Sequence, residues 1–180
     1  MLVYLAGPAV FLPDAAAHGA AKKALCAQHG FRGWFPLDST PDLAGCGPFE
    51  QGMRIAAANE AAMRECDFAI ADMTPFRGAS MDVGTAYEMG FVRALGKPVL
   101  GYSNVAAGFR SRSGPADAAC DAWEMAFESF DMADNLMLHA AVHDSGVALL
   151  CAEMAPAERF TSLAVFERVL AQARARFQPG

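Results

Sequence analysis

Short apolar runs alternate with helix-forming segments along the first part of the chain, and this alternation constrains the fold more than any other feature. Residues 15–28, 49–65 and 82–95 have the composition and boundary signals of helices. Strand-forming residues fill four runs that end at glycine, proline or polar turns: 2–6, 31–37, 68–73 and 99–102. This β-α-β alternation predicts a parallel sheet with right-handed crossovers and helices on both faces.

The predicted fold class is α/β: a doubly wound, flavodoxin-like parallel sheet of five strands in a three-layer α/β/α arrangement. A length of 180 residues, 54% of them apolar, suits a single domain over residues 1–180. In such sheets, ligands bind beyond the carboxyl ends of the strands where the strand order reverses. After residue 103 the pattern weakens, and we expect a mobile loop at 108–115, a helix at 116–130, apolar pieces of uncertain type at 136–138 and 147–150, and a final helix at 157–177.

The acidic balance of the chain limits its partners. A net charge of −6 and a pI near 5.1 argue against nucleic acid or an anionic membrane surface, because like charges repel at long range. A small neutral ligand fits better. The N-terminus has no basic segment before its apolar residues, and no run approaches the length of a membrane span, so we predict a cytoplasmic protein.

Cysteine and histidine spacing gives no support for a metal site or a disulfide framework. The five cysteines are scattered without a CxxC pair, which is typical of small buried side chains. His139 and His143 have i, i+4 spacing, but they lack the acidic residue of an HExxH arrangement. We therefore predict no metal and no organic cofactor.

Three carboxylates stand within residues 71–90, at the end of the third strand and the start of the third helix. Asp82 is placed for a helix N-cap and Asp72 for the turn after the strand, so each has a structural explanation beside a functional one. Glu88 lies past the capping positions, on an apolar helix that we expect to be mostly buried. It either forms an ion pair with Arg77 or Arg93, or it does chemistry.

A group of carboxylates in a partly dry pocket is suited to glycosyl transfer. One carboxylate can attack the anomeric carbon of a sugar while another carboxyl group protonates the leaving group. The first loop, Gly7-Pro8, offers no glycine-rich phosphate cradle, since proline has no N–H to donate. These features favour a nucleoside over a nucleotide as the substrate.

Four segments of the chain resemble the nucleoside 2-deoxyribosyltransferase family. Residues 4–8 with Phe11 are similar to its opening strand and loop, and 71–78 to its central acidic loop. Residues 82–90 resemble the helix that carries its nucleophile, and 135–138 the segment that a neighbouring subunit lends to the active site. The likeness covers most of residues 1–140.

The resemblance implies a two-step, retaining exchange of the nucleobase of 2′-deoxynucleosides. Glu88 would attack C1′ to form a deoxyribosyl-glutamyl ester, and Tyr4 would orient this nucleophile. Asp72 would protonate the departing base and deprotonate the incoming one. Asp82, with Asn135 from a partner chain, would hold the 5′-hydroxyl group.

The resemblance also implies further substrate contacts and a homo-oligomer. Residues 75–78 look closest to family members that handle purines, so we expect purine salvage with a nucleoside and a nucleobase as ligands. Asn135 and Met137 acting in trans would require a dimer or a larger assembly, which would also keep water from the ester. The other expected substrate-binding residues are Gly7, Pro8, Phe11, Phe76 and Gly84, with Trp34 as a further candidate.

Two other functions remain open. The related 2′-deoxynucleoside 5′-monophosphate N-glycosidases share the fold and the nucleophile, but their first loop carries glycine and serine for phosphate where this chain has Pro8-Ala9-Val10. A non-catalytic nucleoside-sensing module would keep the pocket without turnover. Retention of all three carboxylates speaks against a sensor, which has no need of a nucleophile.

Overall fold

The computed structural model describes residues 1–178 and contains a five-stranded parallel sheet, which confirms the predicted fold class. The strand order is β2-β1-β3-β4-β5. The strands are β1 Leu2–Ala6, β2 Arg32–Trp34, β3 Phe68–Asp72, β4 Val99–Ser103 and β5 Leu150–Cys151. The helices are α1 Ala15–Gln28, α2 Pro48–Glu65, α3 Val83–Ala94, α4 Phe109–Ser113, α5 Leu136–His143 and α6 Ala164–Phe177.

The sheet separates two hydrophobic clusters, because successive side chains on each strand point to opposite faces. Alternate residues of β1, β3 and β4 pack with α1 and α6 on one face, among them Leu5, Ile70 and Tyr102. The intervening residues, such as Tyr4 and Ala71, pack with α2, α3 and α5 on the other. Both faces of the central strands are therefore buried, as their continuous apolar runs predict.

The order in which the strands are added changes side at β1, and this change of side positions the site. From β1 the chain moves to β2 on one side and then to β3 on the other, so that β1 pairs in parallel with both. The crossover connections diverge beyond the carboxyl ends of β1 and β3 and leave a crevice between them. The Gly7–Phe11 loop and the β3–α3 connection, residues 73–82, border this crevice.

Several predicted elements differ from the observed ones. The second strand covers only Arg32–Trp34, because Pro36–Asp38 forms a 3-10 turn, and the final helix begins at Ala164 rather than at residue 157. The expected loop at 108–115 contains the short helix α4. No helix of the described residues is long and apolar enough to cross a membrane.

The helix predicted at 116–130 is wrong. Its described backbone is irregular, with an isolated antiparallel bridge between Cys120 and Ala126 and a left-handed φ of 61° at Glu124. Arg110 donates a 2.8 Å hydrogen bond to the carbonyl of Pro115 and lies 4.6 Å from the ring centroid of Phe127. These tertiary contacts outweigh the high helix propensity of the alanine-rich sequence.

Candidate active site

A cavity of about 270 Å³ opens at the crevice between the Gly7–Phe11 loop and the N-terminus of α3. Its wall is mostly apolar, and its ionisable groups are Asp82 and Glu88. The lining residues are Gly7, Val10, Phe11, Pro36, Leu37, Ile55, Asn59, Asp82, Gly84, Thr85 and Glu88. A small apolar cavity with a few convergent polar groups is typical of a small-molecule site.

Glu88 is held by a short hydrogen bond from the core of the sheet. The hydroxyl group of Tyr4, which is 0% exposed, donates to Glu88 Oε1 at 2.6 Å. Burial and the negative charge of Glu88 raise the pKa of Tyr4 far above its ordinary value, so the phenol remains a donor. The bond fixes one carboxylate oxygen and leaves the other available to a ligand in the cavity.

Burial is the main influence on the ionisation of Glu88. It raises the pKa of the carboxyl group to about 7, and the nearby charge of Asp82 adds to this effect. The Tyr4 hydrogen bond acts in the opposite direction, because it stabilises the charged form. A carboxyl group with a raised pKa at the wall of a cavity is typical of functional sites.

Asp82 both caps helix α3 and lines the cavity, so the structural and the functional explanations of this residue both fit its position. Its Oδ2 accepts hydrogen bonds from Thr85 N at 2.9 Å and Thr85 Oγ1 at 3.0 Å, so it is the N-cap of α3. It also lines the cavity, together with Gly84 and Glu88. The capping turn therefore places a second carboxylate beside the first, with its Oδ1 free of these two bonds.

The alternative that Glu88 forms an ion pair with Arg77 or Arg93 is wrong. Arg93 donates to Asp144 at 2.9 Å, and the guanidinium of Arg77 lies over the rings of Phe11 and Phe76 at 5.1 and 4.5 Å from their centroids.

Helix α3 is also less buried than expected. Val83 is 84% exposed and Tyr87 57% exposed, so one side of the helix faces solvent. Its core-facing residues Met89 and Val92 nevertheless anchor it to the sheet.

The structure does not bring Asp72 into the cavity. Asp72 is only 2% exposed, and it follows Phe68 and Ile70 in the alternation of β3, which places its side chain on the α1/α6 face. Glu88 and its partner Tyr4 belong to the opposite face. Asp72 Oδ1 accepts a 3.0 Å hydrogen bond from Thr74 N, so the turn explanation of this residue fits its geometry.

Asp72 instead shares its surroundings with a buried lysine. Lys22 on α1 is 2% exposed, and its ammonium lies over the rings of Tyr102 and Phe166 at 5.6 and 5.3 Å from their centroids. Burial lowers the pKa of Lys22, while the charge of Asp72 raises it. Burial, followed by the charge of Asp72, raises the pKa of Tyr102 well above its ordinary value. The opposite charges of Lys22 and Asp72 thus compensate each other on the α1/α6 face of the sheet.

The other predicted residues lie at different distances from the cavity. Gly7, Phe11 and Gly84 line it, whereas Pro8 is buried beneath its loop. Gly7 has a φ of 150°, and a Cβ there would lie 2.7 Å from Asp72 Cβ, so glycine is required where β1 passes β3. Phe76 stacks on Phe11 from outside, with centroids 5.5 Å apart and planes 7° apart.

Asn135 and Met137 lie outside the cavity of their own chain. Asn135 is the N-cap of α5: its Oδ1 accepts from Met137 N at 3.0 Å, and its Nδ2 donates to Glu128 at 2.7 Å. Met137 is 71% exposed. Their contribution in trans stays a prediction. Trp34 lines other cavities and not this one.

A buried aspartate, Asp134, supports the entry to α3. It is 0% exposed and accepts from Ser80 Oγ at 2.5 Å and from Met81 N at 3.0 Å. Arg112 is its ion-pair partner, at 3.6 Å. These contacts fix the connection that delivers Asp82 to the cavity.

Sequence reasoning missed Asn59, a polar residue of the cavity wall. Asn59 lies on α2, and its Oδ1 is buried without a hydrogen-bond partner in the described part of the chain. Buried amide oxygens are normally paired, so this atom is ready for a ligand or a water molecule. Ile55, one turn earlier, lines the same wall, and this i, i+4 spacing was the signal in the sequence.

A protein-family model matches most of the chain. The family model described as Nucleoside 2-deoxyribosyltransferase matches residues 3–137. An uncharacterized protein of Schizosaccharomyces pombe is 34% identical over 147 residues, which cover 77% of this chain and 70% of that protein.

Solved structures show the same architecture. A 2-desoxiribosyltransferase from Leishmania mexicana is similar, with a TM-score of 0.63 and 30% identity over 93% of this chain and 97% of that one. A 2-deoxyribosyltransferase from Bacillus psychrosaccharolyticus has a TM-score of 0.50 and 21% identity, and covers 63% of this chain and 82% of that one. This second likeness concerns the fold alone.

The described side chains form no group of three or more histidine, cysteine or acidic residues that could hold a metal ion. The cavity instead offers a hydrogen-bonded carboxylate near neutrality, a second carboxylate and one unpaired amide oxygen. Such a set can bind hydroxyl groups and supply a carboxylate nucleophile.

Proposed function

The chain belongs to the nucleoside 2-deoxyribosyltransferase family, and on that basis we propose that it exchanges the nucleobase of 2′-deoxynucleosides through an ester on Glu88. The hydrogen bond of 2.6 Å from Tyr4 to Glu88, at the wall of a small apolar cavity, is the observation that carries this proposal. This hydrogen bond orients the Glu88 carboxylate, and the raised pKa of Glu88 makes the carboxylate more basic. The orientation places the attacking oxygen, and the basicity increases its nucleophilic strength.

In the first step, one Glu88 oxygen attacks C1′ of the deoxynucleoside. The C1′–N bond breaks, and its electron pair leaves with the base. Tyr4 keeps its hydrogen bond to the other oxygen of Glu88, which holds the attacking atom in line. Asp82 would accept a hydrogen bond from the 5′-hydroxyl group, since it lines the cavity without taking part in the displacement.

In the second step, a nitrogen of the incoming base attacks C1′ of the ester and restores the Glu88 carboxylate. Two inversions at C1′ give retention. The Asn59 amide, which can donate and accept, would bind the polar edge of the base. An amide is too weak an acid or base to carry this proton, and Asp72 does not line the cavity. We propose that a single bound water molecule, held away from C1′, relays the proton between the base and solvent, while bulk water is excluded.

A single chain leaves the nucleophile open to water, which would hydrolyse the ester. The apolar residues at the cavity mouth are exposed, including Phe11 at 56%, Leu37 at 50% and Ile55 at 44%. A second copy of the chain that covers this mouth would exclude water and favour transfer. We therefore retain the homo-oligomer, with Asn135 and Met137 in trans, as part of the proposal.

Incubation with deoxyinosine and free adenine tests the reaction. Formation of deoxyadenosine together with hypoxanthine supports base exchange, whereas free deoxyribose would identify a hydrolase and binding without products a sensor. A parallel incubation with deoxyinosine 5′-monophosphate tests the N-glycosidase alternative. Purines and pyrimidines offered in competition measure how far exchange is restricted to purine salvage.

One variant of Glu88 and one control variant locate the nucleophile. Glu88→Ala should abolish exchange. A covalent mechanism requires that the mass spectrum of trapped wild type show a 2-deoxyribosyl adduct of about 116 Da on Glu88, roughly one per active chain. The spectrum of Glu88→Ala should lack this adduct. Glu65→Ala, which changes an exposed glutamate at the end of α2, is the matched control and should exchange normally. Full activity of Glu88→Ala would exclude the mechanism.

A further inference from the structure

A second, larger cavity lies on the outer side of the Phe11–Phe76 stack. Its volume is about 610 Å³, within the range of small-molecule sites. Phe11 lines the cavity that contains Glu88, which we call the catalytic cavity, and its stacking partner Phe76 lines the second one. The two cavities are therefore separated by this aromatic pair and have no lining residue in common. The lining residues are Pro75, Phe76, Arg77, Gly78, Val105, Ala107, Arg112, Glu153, Arg159 and Phe160.

Positive charge is concentrated in this cavity although the chain carries a net charge of −6. Three arginines from three separate segments line it, opposed by Glu153 alone. Arg112 is committed to the fold: it donates to the carbonyls of Ala79 at 2.8 Å and Ala133 at 2.7 Å and pairs with Asp134. Arg77 and Arg159 therefore carry the charge that a ligand would meet.

The guanidinium groups of Arg77 and Arg159 are only weakly engaged. Arg77 is exposed, and its guanidinium packs on aromatic ring faces, which leaves the N–H edge directed away from them. Arg159 lies 3.8 Å from Glu153, a long contact, and its Nε is buried without a hydrogen-bond partner in the described part of the chain. Guanidinium groups in this state are suited to bind phosphate.

The rest of the lining is apolar and aromatic. Phe160 meets Phe76 edge to face at 5.8 Å, and Pro75 and Val105 complete this part of the surface. A planar base can pack on such a surface while its phosphate meets the arginines. A ligand that combines both groups satisfies the whole lining better than a free phosphate or a neutral nucleoside.

We propose that this arginine-lined cavity is a binding site for a nucleoside monophosphate, separate from the catalytic cavity. Arg77 and Arg159 bind the phosphate group, Arg112 contributes charge from behind, and the base packs against Phe160 and Pro75. The site does not depend on the reaction proposed above, because none of these residues lines the catalytic cavity.

Calorimetric titration of the full chain with adenosine 5′-monophosphate tests the site. We expect saturable binding of one nucleotide per chain, with adenosine and inorganic phosphate each bound at least about tenfold more weakly, since each lacks half of the contacts. Saturating deoxyinosine should leave the nucleotide affinity unchanged. Absence of binding, or competition by deoxyinosine, would overturn the proposal.

Two substitutions with opposite expected effects exclude a general loss of folding. Arg159→Gln should weaken nucleotide binding by about tenfold or more, whereas Glu153→Gln should tighten it several-fold, because it removes the opposing charge yet keeps an acceptor for Ala106 N. Arg168→Gln, an exposed charge on α6, is the matched control and should change nothing.

Equal affinities in wild type, Arg159→Gln and Glu153→Gln would refute the site. Base exchange measured on Arg159→Gln should equal that of wild type. If wild type shows no exchange, the proposed reaction fails while the binding result stands by itself.

Discussion

The hydrogen bond from Tyr4 to Glu88 moderates the pH dependence that burial gives to the proposed reaction. Burial raises the pKa of Glu88 to about 7, and the Tyr4 hydroxyl group opposes this rise by donating to the carboxylate at 2.6 Å. Because only the carboxylate attacks, kcat/KM should fall as the pH drops through about 7. Tyr4→Phe removes the donor and keeps the buried ring.

The size of the effect follows from the strength of a hydrogen bond to a charged group. Such a bond contributes about 1.5–3 kcal/mol, which corresponds to roughly one to two pH units. Loss of the bond disfavours the carboxylate, so the acid limb of the kcat/KM profile for Tyr4→Phe should move upward by about that amount. At high pH the profile should level off below the wild-type plateau, because the bond that orients Glu88 is also lost.

The assay is base exchange between deoxyinosine and adenine, followed from pH 5 to 9 at low substrate concentration. Asp82→Asn is the matched control, because Asp82 raises the pKa of Glu88 and its removal should move the acid limb downward. Asparagine is also a good N-cap, so α3 should remain intact. An unchanged or lowered limb in Tyr4→Phe would refute the reasoning.

Two further predictions concern stability. The folded state raises the pKa of Glu88 from 4.5 to about 7, so the stability gained from its protonated form is complete below pH 4.5 and is lost as the pH rises through 7. Glu88→Gln should therefore stabilise the protein at pH 8 by up to roughly 3 kcal/mol and give no gain at pH 4, measured by urea unfolding; equal gains at both pH values would contradict this. Asp72→Asn should destabilise it by roughly 3 kcal/mol, because Lys22 loses its compensating charge, and Lys22→Met added to Asp72→Asn should restore much of the loss. If the double variant Asp72→Asn/Lys22→Met is stable but has lost exchange, Asp72 is the proton carrier after all.

The alternation of apolar runs and helical segments was enough to predict the architecture. Strand residues such as Leu5 and Ile70 are buried on both sides of a parallel sheet, which requires continuous apolar runs, and such runs are visible without any tertiary information. Glu88 was also accessible from sequence. A carboxylate past the capping positions of an apolar helix has few structural uses.

Only the tertiary structure decided which polar groups meet. Asp72 and Asp82 looked alike in sequence, since both follow apolar residues and suit turns, but the two-residue period of β3 turns Asp72 towards Lys22 and away from Glu88. Asn59 comes from a helix that is distant in sequence and reaches the cavity through the packing of α2.

The irregular conformation of residues 116–130 was likewise decided by tertiary contacts. Their alanine-rich sequence favours a helix locally, yet contacts with Arg110 hold the segment in an irregular form. The sequence by itself thus determined the layers of this protein and singled out Glu88 as the proposed nucleophile, because both depend on local apolar patterning. The partners of each buried charge depended on strand direction and long-range packing, which local pattern does not encode.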